Sequence, residues 1–305
     1  MALDGMNLNG TNFNAVVRPI YDMHGNEIPA EMGRGVYRDD TREMLSICGR
    51  SYKPVQHADV LDPLLQTLKD QGYEIVERNP DKRALYDLAG QRGAFGSVQT
   101  QDNGAIMRAD VIIGDFIQPT GRSSYLEQGP DTMLRRYTAL NSHDGSLAVK
   151  VTNGYMRLVC MNGMMNPQFV ATTYGKHTAN FNTDTLKENI LRAADMMEND
   201  AETFGKYART PLTIAQAEDF LKRTMAKLPD KPNGEPHFSE PKLQKLLQQF
   251  RHEDQTVWGL LQSMTWWATH GDMRSTSGEV TGRLRRDAEV AQTMRGNDFA
   301  HLIAA

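Results

Sequence analysis

Residues Asn141 to Ser146, NSHDGS, bring an amide, hydroxyls, an imidazole, a carboxylate and a glycine into six positions. Such a cluster on a loop held by rigid strands is where function concentrates. Three chemistries are open to it. Ser142, His143 and Asp144 are the residue types of a nucleophilic triad, but neighbours on a strand end cannot hydrogen-bond in triad geometry. His143, Asp144 and His177, with Cys160, could bind a metal if the sheet folds back on itself, although the spacing matches no established ligand signature. In the third reading Asn141, His143 and Asp144 only shape the loop, Asp144-Gly145 turning by Asx hydrogen bonding.

A nucleic-acid surface needs cations for phosphates and flat side chains for bases. The surrounding segment carries Arg135, Arg136, Lys150, Arg157 and Lys176 as candidate phosphate contacts, with Tyr137 and Tyr155 as candidate stacking platforms. Alternate residues of a strand share a face. Tyr155 and Arg157 would then face one way, open to a ligand, and Met156 and Leu158 would face the core. A competing expectation pairs Arg157 with an acid as a brace.

Charge agrees with this placement. From Gly121 to Asn180 six Lys/Arg stand against three acids, a local +3, whereas residues 1 to 80 hold eight basic against twelve acidic, or −4. The whole chain is −4 over 305 residues, so it is not a uniformly basic binder. No phosphate-cradling or dinucleotide motif and no G-x-S-x-G elbow occurs. No catalytic residue, metal or cofactor is assigned.

The elements that must position these residues point to an α+β fold. Strands are expected near Asn14–Tyr21, Gly35–Arg38 and Met44–Tyr52. Val60, Leu61, Leu64, Leu65 and Leu68 predict an amphipathic helix over 58–71, with Pro63 in its first turn and Gly72 at its stop. From Tyr73 to Cys160 consecutive strands without intervening helices predict an antiparallel sheet. Asp102-Asn103-Gly104 marks one turn within it. Asn153-Gly154, between Leu147–Val151 and Tyr155–Cys160, predicts a type I′ hairpin. Helices follow over 184–204, 213–228, 239–250, 257–270 and 278–304. The division expected is a core domain, 1–210, and a helical C-terminal region, 211–305.

Two cysteines, Cys48 and Cys160, are too few for a disulfide framework. No apolar run reaches the roughly 18 residues of a membrane span. The N-terminus lacks the pattern of a signal peptide. A cytoplasmic protein is expected.

Several pieces, in order, resemble a phage- and plasmid-borne family of unknown function. They are SYKPVQHADVLDPLLQTL, GDFI, NSHDGSLAV, RLVCMNGM, KHTAN and TVWGLLQSMTWWATHGD, spread from about Val16 to His270. One departure is Gly163-Met164 after Asn162, where the family carries a Thr-Leu pair. The order of elements is similar to that of phage single-strand annealing proteins of the RecT, Redβ and ERF type. The resemblance implies a phage-encoded protein of the bacterial host cytoplasm. It would bind and anneal single-stranded DNA as a homo-oligomer, a ring or filament, without nucleotide or metal. The alternatives are a metal-dependent enzyme using His143, Asp144 and His177, or a phage regulatory protein with no DNA role.

Overall fold

A computed structural model describes residues 11–77, 81–118, 132–158, 162–165, 182–195, 197–232, 234–271 and 279–304. The chain is α+β, with a C-terminal helical region. Short alternating runs near the start form β1 (Ala15–Arg18), β2 (Arg34–Arg38) and β3 (Met44–Cys48). These pair antiparallel in that order. The leucine stripe then builds α1 (His57–Asp70), whose Val60, Leu61, Leu64, Leu65 and Leu68 are all buried. Gly72, at φ +86°, lets the chain reverse, so that Gly72 and Tyr73 N–H groups return to the Lys69 and Leu68 carbonyls. Pro63 lies inside the helix, beyond the first turn, where it removes the N–H that the Asp59 carbonyl would otherwise accept.

A six-stranded sheet follows, in the order β4-β5-β6-β7-β8-β9. Its members are β4 (Glu74–Glu77), β5 (Gly93–Gln101), β6 (Ile106–Ile117), β7 (Met133–Ser142), β8 (Lys150–Arg157) and β9 (Asn162–Met165). Helix α2 (Lys82–Leu88), whose N-cap Asp81 accepts from the Ala84 N–H, stands between β4 and β5, and these two strands pair parallel. This corrects the expectation of a helix-free antiparallel run, because a parallel pair needs a crossover of a dozen or more residues. Strands β5 and β6 are antiparallel, and the turn read at Asp102-Asn103-Gly104 joins them with all three residues at positive φ.

The Asn153-Gly154 hairpin is absent. Both residues lie inside the single strand β8, and neither has the positive φ that a type I′ turn requires. Every residue from Val151 to Leu158 is buried, and a strand covered on both faces can carry Asn-Gly without turning. The reversal occurs earlier, over residues 143–149, a connection too short to join β7 and β8 in parallel.

The helices are α3 (Thr183–Asp195), α4 (Met197–Arg209), α5 (Ile214–Arg223), α6 (Glu240–His252), α7 (Val257–His270), α8 (Glu279–Arg295) and α9 (Asn297–Ala304). A two-residue pair, β10 (Lys227–Leu228) with β11 (His237–Phe238), separates α5 from α6. Thr213 and Thr256 cap α5 and α7 through their hydroxyls. Residues 183–195 and 197–209 are helical where a helix over 184–204 is expected, and the last helix divides at Gly296 into α8 and α9. No helix among the described residues is long and apolar enough to cross a membrane.

The described residues fall into two compact units. The first draws on 1–114, 136–153 and 169–195, the second on 115–135, 154–168 and 196–305, so β6, β7 and β8 contribute to both. In the first, the α1 leucines pack with Ala109, Val111, Ile113, Tyr137, Ala139 and Val151. In the second, Trp258, Phe204, Phe220, Phe250 and Phe299 anchor the core with Leu246, Leu261 and Met264.

Candidate functional site

The NSHDGS segment is built as a staple within the first unit. Asp144 Oδ1 accepts from the Ser146 N–H, at 2.9 Å, and Gly145 sits at φ +76°, which is an Asx turn. Ser142 Oγ donates to the Leu147 carbonyl and accepts from the Leu147 N–H. Asn141 Nδ2 donates to the Val55 carbonyl at 2.8 Å and lies 3.0 Å from His57 Nδ1. His57 Nε2 lies 2.8 Å from the Gly104 carbonyl. Both contacts are satisfied by one neutral tautomer, with the proton on Nε2 and the Nδ1 lone pair facing Asn141. The fully buried His143 ring packs 4.1 Å from the His57 ring and edge-on to Phe13 at 5.6 Å. The His143 backbone N–H donates to the Ala105 carbonyl, and the His143 carbonyl accepts from Ser46 Oγ. Asn141 and His143 therefore tie β3, α1 and the β5–β6 turn to the end of β7, and Asp144 closes the local turn.

The metal constellation is not assembled by these contacts. Asp144 is committed to its turn, and His177 and Cys160 lie outside the described residues. Among the described residues no group of three or more His, Cys, Asp or Glu side chains is placed to hold a metal ion.

The candidate phosphate contacts separate onto two faces of the sheet. Tyr137 is buried with Ala109, Val111 and Val151 in the first unit, while Arg135, Tyr155 and Arg157 are buried in the second, the last two sharing the parity of Val151 along β8. In the second unit, Arg157 Nη1 meets Glu253 Oε2 at 2.7 Å, and the Tyr155 hydroxyl donates to Asp200 Oδ2 at 2.7 Å. Burial pushes the neighbouring Tyr207 hydroxyl above its usual range, and the Asp200 charge adds to the rise. Arg135 lies 3.8 Å from Asp115. The face expected to hold Tyr155 and Arg157 open to a ligand is thus interior, and Arg157 meets an acid 96 residues away. Lys176 lies outside the described residues.

Arg136 and Lys150 belong to the opposite face, in the first unit. There β5 contributes Ser97 and Gln99, β6 Arg108 and Asp110, β7 Arg136 and Thr138, and β8 Lys150 and Thr152. Arg108 Nε donates to Asp110 Oδ2 at 2.9 Å, Thr138 Oγ1 donates to Asp110 Oδ1 at 2.5 Å, and Arg136 Nε lies 3.8 Å from Oδ1. On these four strands three cations share the face with one carboxylate. Guanidiniums are costly to bury unless anions answer them, and here Asp110 bonds Arg108 directly and stands near Arg136. Sequence reasoning missed Arg108, Asp110 and Thr138. The signal was present as Arg108-x-Asp110, two charges at period two inside the apolar run from Ile106 to Ile113.

No curated protein and no solved structure matches the chain. The family model described as Domain of unknown function (DUF932) matches residues 116–297, a span that starts on β6 after Asp110 and takes in Arg136, Thr138 and Lys150. Because that span is more than half of the 305 residues, the chain belongs to this family.

Proposed function

We propose that the chain binds single-stranded nucleic acid and promotes annealing, as a homo-oligomer of the kind used in phage recombination. The observation that carries this reading is the polar, cationic face of β5 to β8 in the first unit. Sheets that bind single strands combine cations along the backbone path with flat side chains for bases. Here Arg108, Arg136 and Lys150 supply the cations, Ser97, Thr138 and Thr152 add hydroxyl donors, and the half-buried Phe95 shares the face. Lys150 is half-buried whereas Arg108 and Arg136 are buried. A strand therefore meets Lys150 first. Annealing asks for no nucleophile, because base complementarity supplies the specificity and the protein supplies only a held strand.

The test is fluorescence anisotropy with matched single- and double-stranded oligonucleotides across a KCl series in EDTA, with strand annealing followed in parallel. The reading expects tighter binding of the single strand, a steep loss of affinity with salt, and faster annealing without nucleotide. Binding of neither form at low salt overturns it.

A further inference from the structure

We infer that a cleft between α5 and α9, in the second unit, seats a nucleobase and prefers adenine. The cleft lies outside the β5–β8 face, and its ligand, a base of the bound strand, rests on the nucleic-acid reading. It holds about 520 Å³, within the range of small-molecule sites. Backbone pairing fixes one side of it. The Leu212 N–H donates to the Gln255 carbonyl at 2.9 Å, and the Val257 N–H donates to the Thr210 carbonyl at 3.0 Å. Pro211, Leu212 and Leu302 give the cleft apolar surface. Beneath it Phe299 of α9 packs on Phe220 of α5 and on Tyr207, so the core holds the two helices together.

The polar groups lining the cleft select the ligand. Gln216 gives its Oε1 to the Thr213 N–H and hydroxyl, which leaves Nε2 as a donor. The Gln255 amide and the His301 ring, both on exposed residues, make no hydrogen bond to any described residue. Asp298 meets Arg223 through Oδ1 and keeps Oδ2 as an acceptor. Arg223 is held by Asp219 at 2.9 and 3.2 Å as well as by Asp298. Two carboxylates around one guanidinium leave no positive surplus to draw in a phosphate. What the cleft offers is uncharged donors and acceptors beside apolar surface, which suits a flat ring with an amide-like edge. Among the bases adenine fits that set best, because its amino group and neighbouring ring nitrogen take a glutamine amide in two hydrogen bonds. Gln255 supplies that pair, and Asp298 Oδ2 is an acceptor for the remaining amino hydrogen.

The experiment is a thermal melt in millimolar adenosine or uridine, probes that carry no phosphate, with fluorescence anisotropy of labelled oligo-dA and oligo-dT beside it. Adenosine should raise the melting temperature of wild type more than uridine does. Oligo-dA should bind about tenfold more tightly than oligo-dT, the scale of one bidentate base contact. Gln255→Leu removes the amide, and because that side chain bonds no described residue the variant should fold normally. It should lose both the adenosine shift and the oligo-dA preference. Gln292→Leu, at an exposed position on α8 outside the lining of the cleft, should keep both. Salt slopes should agree among the three proteins, since no phosphate contact changes. An adenosine shift that Q255L loses, without oligonucleotide binding by any of the proteins, supports the cleft and overturns the single-strand reading. An adenosine shift that Q255L retains overturns the cleft. Equal binding of oligo-dA and oligo-dT by wild type, with no adenosine shift, also overturns the cleft and leaves the single-strand reading standing on the β5–β8 face.

Discussion

Two buried polar clusters use the same residue types in different ways. In the second unit Arg157 meets Glu253 at 2.7 Å, both nearly sealed from solvent, Gln249 Nε2 also donates to Glu253 at 3.0 Å, and the Tyr155 hydroxyl donates to the buried Asp200. In the first unit a single carboxylate, Asp110, serves Arg108 and Thr138 and stands near Arg136, and it lies closer to solvent than either guanidinium. A matched internal pair braces a core and offers a ligand nothing. The β5–β8 face of the first unit also carries Lys150 at a half-buried position, which is where the proposed strand would meet the sheet. The chemistry of an arginine therefore does not fix its role; the residues packed around it do.

The comparison can be broken most forcefully at Arg157. Arg157→Ala leaves Glu253 buried without its cation and should cost about 3–5 kcal/mol, read as a lower denaturant midpoint, with the salt dependence of oligonucleotide binding unchanged. Tyr155→Phe removes one donor to a buried carboxylate and should cost about 1.5–3 kcal/mol, with the same indifference in binding. In the first unit, Gly145→Ala tests the turn alone. A Cβ there meets nothing within 4 Å, so the cost is the left-handed backbone itself, about 1–2 kcal/mol. A larger loss would show that the turn is packed more tightly than described.

The smallest effect is expected at the surface pair Arg38–Asp40. Hydrogen bonds from the Arg38 guanidinium, at 2.7 and 2.9 Å, hold the Asp40 carboxyl down to about 2 from an ordinary 3.8. A depressed folded value stabilises above pH 3.8, and that contribution is lost as pH falls through about 2. Carboxyl chemical shifts should show Asp40 titrating last among exposed aspartates, and Arg38→Gln should return it to the ordinary range. Because Asp40 is exposed, the loss of its pairing in acid should scarcely change global stability, whereas Arg38→Gln also removes a stack on Phe13 and a hydrogen bond to the Asn103 carbonyl.

Much of this fold was legible where the determinants are local. The leucine spacing of α1 placed it within a residue, α7 matched its expected bounds, and Asp102-Asn103-Gly104 marked its turn because positive φ is a property of those three residues. What failed depended on partners far along the chain. Asn153-Gly154 reads as a turn only if β8 has an open end there, and its burial on both faces comes from packing that a local window cannot register. The parallel β4–β5 pair hid behind a seven-residue helix too short to show periodicity. The site was half legible. Arg136 and Lys150 lie on the face that carries Arg108 and Asp110, but Tyr155 and Arg157, expected in open space, are closed off by Asp200 and Glu253, 45 and 96 residues away.

The measurement that tests the central claim most directly is the salt dependence of oligo-dT affinity in Lys150→Ala beside Arg157→Ala. If the β5–β8 face of the first unit binds phosphates, Lys150→Ala should lower the slope of log affinity against log salt by about 0.7 while its melting temperature stays at the wild-type value. Arg157→Ala should do the reverse, melting earlier with the wild-type slope. A lowered slope in Arg157→Ala together with an unchanged slope in Lys150→Ala would contradict the account and return the binding face to the side of the sheet that carries Tyr155.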